Sequence, residues 1–178
     1  MGSSFFTVGH SNRPIDEFLG LLREHGIGTL VDVRRLPGSA RYPQFDRERL
    51  AASLAEAGIE YRWSEGLTGR RRASEEVPRE VNGWWENRSF HNYADHALTE
   101  EFRSALDELR QKGRERPTVV MCSEAVWWRC HRRIISDCLI ARGEEVTHIM
   151  APGRVEEARL TEGAVIRENR DVNYPAGS

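Results

Sequence analysis

The spacing of apolar residues switches between two periods along the chain. Phe5–Val8 is a short unbroken apolar run ending at Gly9-His10-Ser11-Asn12, which predicts a first strand and a loop. Pro14 then opens a helical pattern, with Ile15, Phe18, Leu19 and Leu22 on one face, Ser11 or Asn12 as cap and Gly26 as stop. Thr29–Val33 is β-rich and nearly all apolar, as a buried parallel strand should be. Asp46–Ala57 predicts a second helix carrying Leu50 and Leu54 inward and stopped by Gly58, and Ile59–Trp63 a third strand. Residues 64–92 have no period and few aliphatics, so they predict an irregular, lid-like segment. A long amphipathic stretch, Tyr93–Lys112, breaks near Leu98-Thr99, and its stronger half begins at Thr99 and Phe102. Thr118–Met121 is the strongest strand of the second half. A helix from about Trp127 to Arg142 follows, stopped by Gly143, with Ile134, Ile135, Cys138 and Leu139 inward, and then a strand, Val146–Met150. Residues 151–178 are polar and irregular apart from Ala164-Val165-Ile166.

Strands alternating with helices predict an α/β fold: a single three-layer domain over 1–178 with a mainly parallel sheet, Rossmann-like or rhodanese-like. Its core spans about 5–150, and 151–178 form a polar C-terminal extension. Such sheets bind ligands beyond the carboxyl ends of their strands. That rule singles out His10 and Ser11 after strand one, Asp32 and Arg34 after strand two, and Cys122 and Glu124 after strand four.

The length of 178 residues fits one domain and a core that needs no disulfide staples. No run of 18 apolar residues is present, which predicts no membrane span. Met1–Val8 lacks the charged and apolar regions of a secretory signal. The three cysteines, all within Cys122–Cys138, do not make a disulfide framework, so the expected setting is reducing and cytoplasmic. Lys112 is the only lysine among 26 basic residues. Genomic bias toward arginine codons would produce that excess; so would selection for phosphate, carboxylate and aromatic contacts. A net charge of −2 excludes a polycation that coats nucleic acid. It leaves open a local basic site: Arg34–Arg49 holds five arginines, and Arg129–Arg142 four.

Asp32 has two readings: a partly desolvated acid–base group, or the partner of Arg34 two residues on. Cys122, between a strand and a helix, is either a nucleophile helped by the helix dipole or a buried inert thiol. Cys130-His131-Arg132 with Cys122, Glu124 and His10 offers metal-ligand types, but the spacing fits no zinc pattern, so neither metal nor cofactor is predicted. His131 reads better as an acid–base or hydrogen-bonding residue. Cys138 reads as core. Trp84-Trp85 and Trp127-Trp128, each close to arginine, suit base stacking, with one of each pair expected in the core. Arg70-Arg71-Arg72 is a positive cluster offset by Glu75, Glu76 and Glu80. Tyr93 and His96 are candidates to line a pocket; His25 and His148 read as ordinary fold residues.

Thr7-Val8-Gly9-His10-Ser11-Asn12-Arg13, Val31-Asp32-Val33-Arg34 with Pro37 and Ser39, Gly58-Ile59-x-Tyr61, Met121-Cys122-x-Glu124 and Cys130-His131-Arg132 occur in order. In this the chain resembles the bacterial and archaeal family called domain of unknown function 488, over about residues 5–150. The resemblance implies a shared fold and residue set without a settled reaction, and some relatives carry a DNA repair label. It carries over His10, Ser11, Asp32, Arg34, Tyr61, Cys122, Glu124, Cys130, His131 and Arg132. Two departures stand out: Leu67-Thr68-Gly69-Arg70, where the family has Leu-Gly-Gly, and the bulk of Trp127-Trp128.

The leading expectation is a nucleic-acid-directed enzyme, for instance a glycosylase-like hydrolase acting in DNA repair. Asp32 or Glu124 would act on water or the sugar, assisted by His10, Cys122 and His131. Ser11, Arg34, Tyr61, Arg70, Tyr93, Trp127, Trp128, Cys130 and Arg132 would bind substrate. The alternatives are a rhodanese-like, thiol-dependent enzyme using Cys122 and a non-catalytic nucleotide-binding module. The rhodanese reading is weakened by Ser123–Arg129, which has no glycine. The expected partner is DNA, with no membrane, and the chain is expected as a monomer or homodimer.

Overall fold

A computed structural model describes residues 4–177. Met1–Ser3, where the segment read as lacking a secretory signal begins, and Ser178, the end of the expected domain, lie outside the described residues. The chain runs β1 (Phe5–Gly9), α1 (Ile15–Glu24), β2 (Thr29–Asp32), α2 (Arg47–Glu56), β3 (Glu60–Trp63), α3 (Arg88–His96), α4 (Glu100–Glu115), β4 (Thr118–Cys122), α5 (Arg132–Ala141), β5 (Val146–Ala151), β6 (Arg154–Glu157), β7 (Val165–Ile166) and β8 (Val172–Asn173). Six strands form one sheet in the order β3-β2-β4-β1-β5-β6, with β7 and β8 as a separate hairpin. All pairings from β3 to β5 are parallel, and only β6 runs antiparallel.

The sheet is the middle of three layers. Phe18, Leu21 and Leu22 of α1 and Leu50 and Leu54 of α2 pack on one face with Leu30, Val119 and Met121. Tyr93 of α3, Phe102 and Leu106 of α4, and Ile134 and Ile135 of α5 pack on the other with Val31 and Val120. The central strands are buried on both faces, which is why they read as continuous apolar runs. The helices after β1 and β2 lie on the first face, and the helix after β4 lies on the second. β4 sits between β1 and β2, so the chain leaves neighbouring strands toward opposite faces there. That is the switch point at which α/β sheets open a crevice, and it lies at the carboxyl ends of β1, β2 and β4.

Several local details differ from the sequence reading. Neither Ser11 nor Asn12 caps α1; Pro14 takes the cap position in extended conformation, and Ser11 sits in a left-handed turn at φ 49°. The break near Leu98-Thr99 is a true boundary: Thr99 accepts from the Phe102 backbone N–H and starts α4. The helix expected from Trp127 starts only at Arg132. Trp127–Arg129 forms one 3-10 turn and Cys130 is extended. Trp127 stacks on His148 with ring centres 4.6 Å apart, and its indole N–H donates to Glu156 at 2.8 Å. These contacts tie the segment to β5 and β6 and hold it out of helical register.

Residues 151–178, expected to be irregular, supply the edge strand β6 and the β7–β8 hairpin. Their end is fastened to the core. Asp171 pairs with Arg103 and Arg142, Val172 and Tyr174 are fully buried, and the Tyr174 hydroxyl donates to Asp137 at 2.6 Å. An isolated Val172 and Tyr174 carry no period, so burial there left no pattern to read. No helix among the described residues is long and apolar enough to cross a membrane.

Candidate active site

Two buried polar clusters stand at the carboxyl ends of β1, β2 and β4. The first is built on Asp32, the last residue of β2 and fully buried. Arg34 donates to it through Nε (2.9 Å to Oδ1) and Nη2 (2.8 Å to Oδ2), and the backbone N–H of Arg34 adds a third bond to Oδ1. Tyr61 Oη donates to Oδ2 at 2.6 Å. Burial, then the Asp32 charge, hold the Tyr61 phenol protonated by raising its pKa. Both carboxylate oxygens are therefore occupied, and Asp32 is the counter-ion of Arg34. Arg34 also donates to the Phe45 carbonyl at 2.7 Å and to His10 Nε2 at 3.3 Å. His10 Nδ1 faces the Ser11 carbonyl at 2.8 Å and its ring stacks on Phe45. Burial, helped by the Arg34 charge, lowers the His10 pKa to about 4, so the ring is neutral at pH 7.

The second cluster is built on a pair of thiols. Cys122 ends β4 and Cys130 lies two residues before α5; both are free and buried, with Sγ atoms 2.7 Å apart. Arg132, 1% exposed, is the cation beneath them. Its Nε donates to Cys122 Sγ at 3.0 Å and its backbone N–H to Cys130 Sγ at 3.4 Å. The rest of the guanidinium is fixed by Thr7 Oγ1 (3.0 Å) and the Glu124 carbonyl (2.7 Å). Thr7 in turn donates to His148 Nδ1 at 2.6 Å, and burial with the Arg132 charge lowers the His148 pKa to about 3. His131 Nε2 donates to the Val33 carbonyl at 3.0 Å, leaving Nδ1 facing Cys130 Sγ at 3.6 Å. Burial lowers its pKa too, so it faces the sulfur as a neutral ring.

The two thiols are not equivalent. Burial, then the hydrogen bond with Cys130, push the Cys122 thiol up. Burial alone would raise Cys130 as well. The Cys122 hydrogen bond and the charge and N–H groups of Arg132 outweigh it and bring Cys130 down to about 6. The helix-dipole argument thus applies to Cys130, next to the start of α5, and not to Cys122 at the end of a strand. Cys138, in the core, is raised by burial and by the nearby Asp137 charge.

The remaining expected site residues divide by position. Ser11 lies in the loop after β1, where its N–H donates to the Ser123 carbonyl at 3.1 Å. Tyr93 is in the core, its hydroxyl donating to the Leu67 carbonyl at 2.7 Å, and its ring lies against His131. Trp127 is partly buried, while Trp128 is 43% exposed. Glu124 points outward: its carbonyl holds Arg132 and its carboxylate approaches only the Val126 N–H. Arg70 is exposed at φ 56° beside Gly69. A Cβ on Gly69 would fall 2.8 Å from His131 Nδ1, so this glycine lets the loop after β3 close on the thiol cluster. Thr68, where the resemblance implies another glycine, instead closes its own turn with a hydroxyl bond to the Glu65 carbonyl. Arg35 and Arg41 after β2, Arg70 and Arg72 after β3 and Arg129 after β4 are exposed in loops that follow the strands, and Leu36 beside Arg35 is 69% exposed.

Thr7 and His148 belong to the cluster but were not expected there. Thr7 lies inside an apolar strand and His148 in β5, and the only available signal was the adjacency of β1 to both β4 and β5. Among the described residues no three or more His, Cys, Asp or Glu side chains are grouped to hold a metal ion. A surface depression of about 700 Å³ lies at the C-terminal tail between Glu80, Leu98, Arg167 and Asp171. Its Asp171 is already paired with two arginines and Arg167 bonds Asn173, so chemistry is better placed at the strand ends.

Fold and site together define a doubly wound α/β protein with a buried thiol–arginine centre at its switch point. The chain belongs to the family described as domain of unknown function DUF488, whose model matches residues 14–139. That span holds Asp32, Arg34, Cys122, Cys130, His131 and Arg132; His10 and Ser11 precede it. No curated protein and no solved structure matches the chain.

Proposed function

We propose that the chain is a thiol-dependent enzyme in which Cys130 is the nucleophile. Cys122 donates a hydrogen bond to its sulfur, and Arg132 supplies a charge that cannot be lost. The observation that carries this reading is the contact of two sulfurs at 2.7 Å over a buried guanidinium. An arginine taken out of water needs a negative partner. Among the described residues no carboxylate is bonded to Arg132, whose side chain donates to the Cys122 sulfur, a hydroxyl and a carbonyl. A single thiolate shared by the pair meets that need. The test is brief alkylation of the native chain at pH 7, followed by peptide mass mapping. Cys130 is labelled first, Cys138 stays unlabelled, and Cys130→Ser abolishes the fast phase. Equal slow labelling of all three would sink the reading.

A nucleic-acid substrate is the second reading, and the exposed arginines of the strand-end loops favour it. Arg35 and Arg41 lie exposed in the loop after β2, Arg70 and Arg72 in the loop after β3 and Arg129 in the loop after β4, next to Trp128, which is 43% exposed and suited to stacking. Base excision by Asp32 is less favourable, because Arg34 and Tyr61 occupy its carboxylate. Binding of labelled single-stranded and duplex DNA that weakens with salt, and weakens further in an Arg70→Ala/Arg129→Ala variant, is the expected result. No binding at low salt would remove this reading.

A further inference from the structure

We infer that Cys122 and Cys130 form a dithiol couple that reduces a small hydroperoxide and passes to an intrachain disulfide. This rests on the reading that Cys130 is the nucleophile and names the substrate class of that site.

Three observations carry it. The sulfurs stand 2.7 Å apart, so joining them at about 2.05 Å requires a shift of only about 0.7 Å. They lie at opposite ends of one loop, Ser123–Arg129, whose 3-10 turn is tied to β5 and β6 by Trp127, so the pair is held together by the fold. Access is narrow: Cys122 is 4% exposed and Cys130 6%. The surrounding loops are packed so closely that a Cβ on Gly9 would fall 1.8 Å from the Glu124 carbonyl oxygen. Such packing favours an oxidant as small as a hydroperoxide over a peptide disulfide or a nucleobase. The third free thiol, Cys138, belongs to the core beside Ile134 and Ile135 and serves as an internal control.

The chemistry balances with a hydroperoxide, ROOH, as oxidant. The Cys130 thiolate attacks the terminal oxygen, an S–O bond forms and the O–O bond breaks. The departing alkoxide or hydroxide takes a proton from solvent and leaves as ROH. Cys130 is now a sulfenic acid. The Cys122 sulfur attacks Cys130 Sγ, an S–S bond forms, and the hydroxyl leaves with the Cys122 proton as water. Two thiols have lost two electrons and the peroxide has gained them. A small dithiol in solution restores the pair by thiol–disulfide exchange. Arg132 remains charged throughout, and Trp127 and Trp128, between the two cysteines, give the change a fluorescence signal.

The experiment treats the reduced full-length chain with stoichiometric hydrogen peroxide and then counts thiols after denaturation. The expected count falls from three to one, the mass falls by two hydrogens, and the cross-linked peptide pairs Cys122 with Cys130. Dithiothreitol reverses all three changes, and with it the chain consumes peroxide repeatedly. Cys122→Ser stops at a Cys130 sulfenic acid, seen as a mass gain of one oxygen and trapped by dimedone once the chain is denatured. Cys138→Ser behaves as the parent. Cys130→Ser slows peroxide consumption by about tenfold or more. If native Cys130 is rapidly alkylated but the thiol count stays at three, the nucleophile stands and the couple is overturned. If Cys130 neither alkylates nor oxidises in the folded chain, both fall. A disulfide that includes Cys138 also overturns the couple. The thiol count on the unmutated chain decides the matter if a variant does not fold.

Discussion

Asp32→Asn separates the counter-ion role from the catalytic one. The side chain keeps its size, so nothing is lost by packing. What changes is the partner of Arg34, whose side chain is 6% exposed and whose Nε and Nη2 both point at the carboxylate. The new amide turns one acceptor into a donor facing donors and leaves the guanidinium buried without an opposite charge. Breaking a buried pair in this way costs about 3–5 kcal/mol. With a urea slope of about 2 kcal/mol/M, the unfolding midpoint falls by about 2 M. Arg34→Met leaves the opposite charge unpaired and is also destabilising. The double variant removes both charges, so its loss is smaller than the sum by about 2–3 kcal/mol. Urea unfolding followed by tryptophan fluorescence measures all four species. An Asp32→Asn chain within about 1 kcal/mol of the parent would refute the reasoning and return Asp32 to the acid–base role.

Other consequences are as direct. Tyr174→Phe removes the hydroxyl that donates to fully buried Asp137, costing about 1–3 kcal/mol and loosening the tail. Limited proteolysis should then clip residues near the C-terminus first. Gly9→Ala drives a Cβ into the Glu124 carbonyl that holds Arg132, so thermal unfolding should show a loss of several degrees together with slower Cys130 alkylation. His10 and His148 are neutral in the fold, with pKa values of about 4 and 3 against about 6.5 when unfolded. The unfolded chain takes up their protons first. Their contribution is therefore intact above pH 6.5 and is lost as the pH falls toward 4, with a slope of up to about 1.4 kcal/mol per pH unit for each histidine. Chemical denaturation at a series of pH values checks this, and a flat profile between pH 6.5 and 4.5 would contradict it.

Much of the fold was legible because the central strands are apolar on both faces and the helices carry one apolar stripe. The rule about strand ends then found His10, Asp32 and Cys122 without any knowledge of their partners. What lay beyond reach had no local pattern. Thr7 and His148 join the thiol cluster only because β1 pairs with both β4 and β5. The late start of α5 depends on Trp127 stacking on His148, a contact across 21 positions that no helical period reveals. The choice of Cys130 over Cys122 likewise depends on where α5 begins and on where the Arg132 guanidinium turns. Tyr174 was hidden for the same reason, since a single aromatic in a polar tail looks exposed until Asp137 is placed beneath it.

The central claim is that the thiol pair over Arg132 holds a thiolate at neutral pH, and the pH titration of Cys130 tests it most directly. The ultraviolet absorbance of the thiolate is followed in the parent and in Cys130→Ser, with Cys138 already replaced by serine in both. The difference between them is predicted to rise with a midpoint near pH 6. Cys130 is then ionised at pH 7 to a larger fraction than an unperturbed cysteine, of which a few per cent is thiolate. A midpoint at or above that of free cysteine, about pH 8.5, would mean that the guanidinium does not hold a thiolate, and would contradict the account.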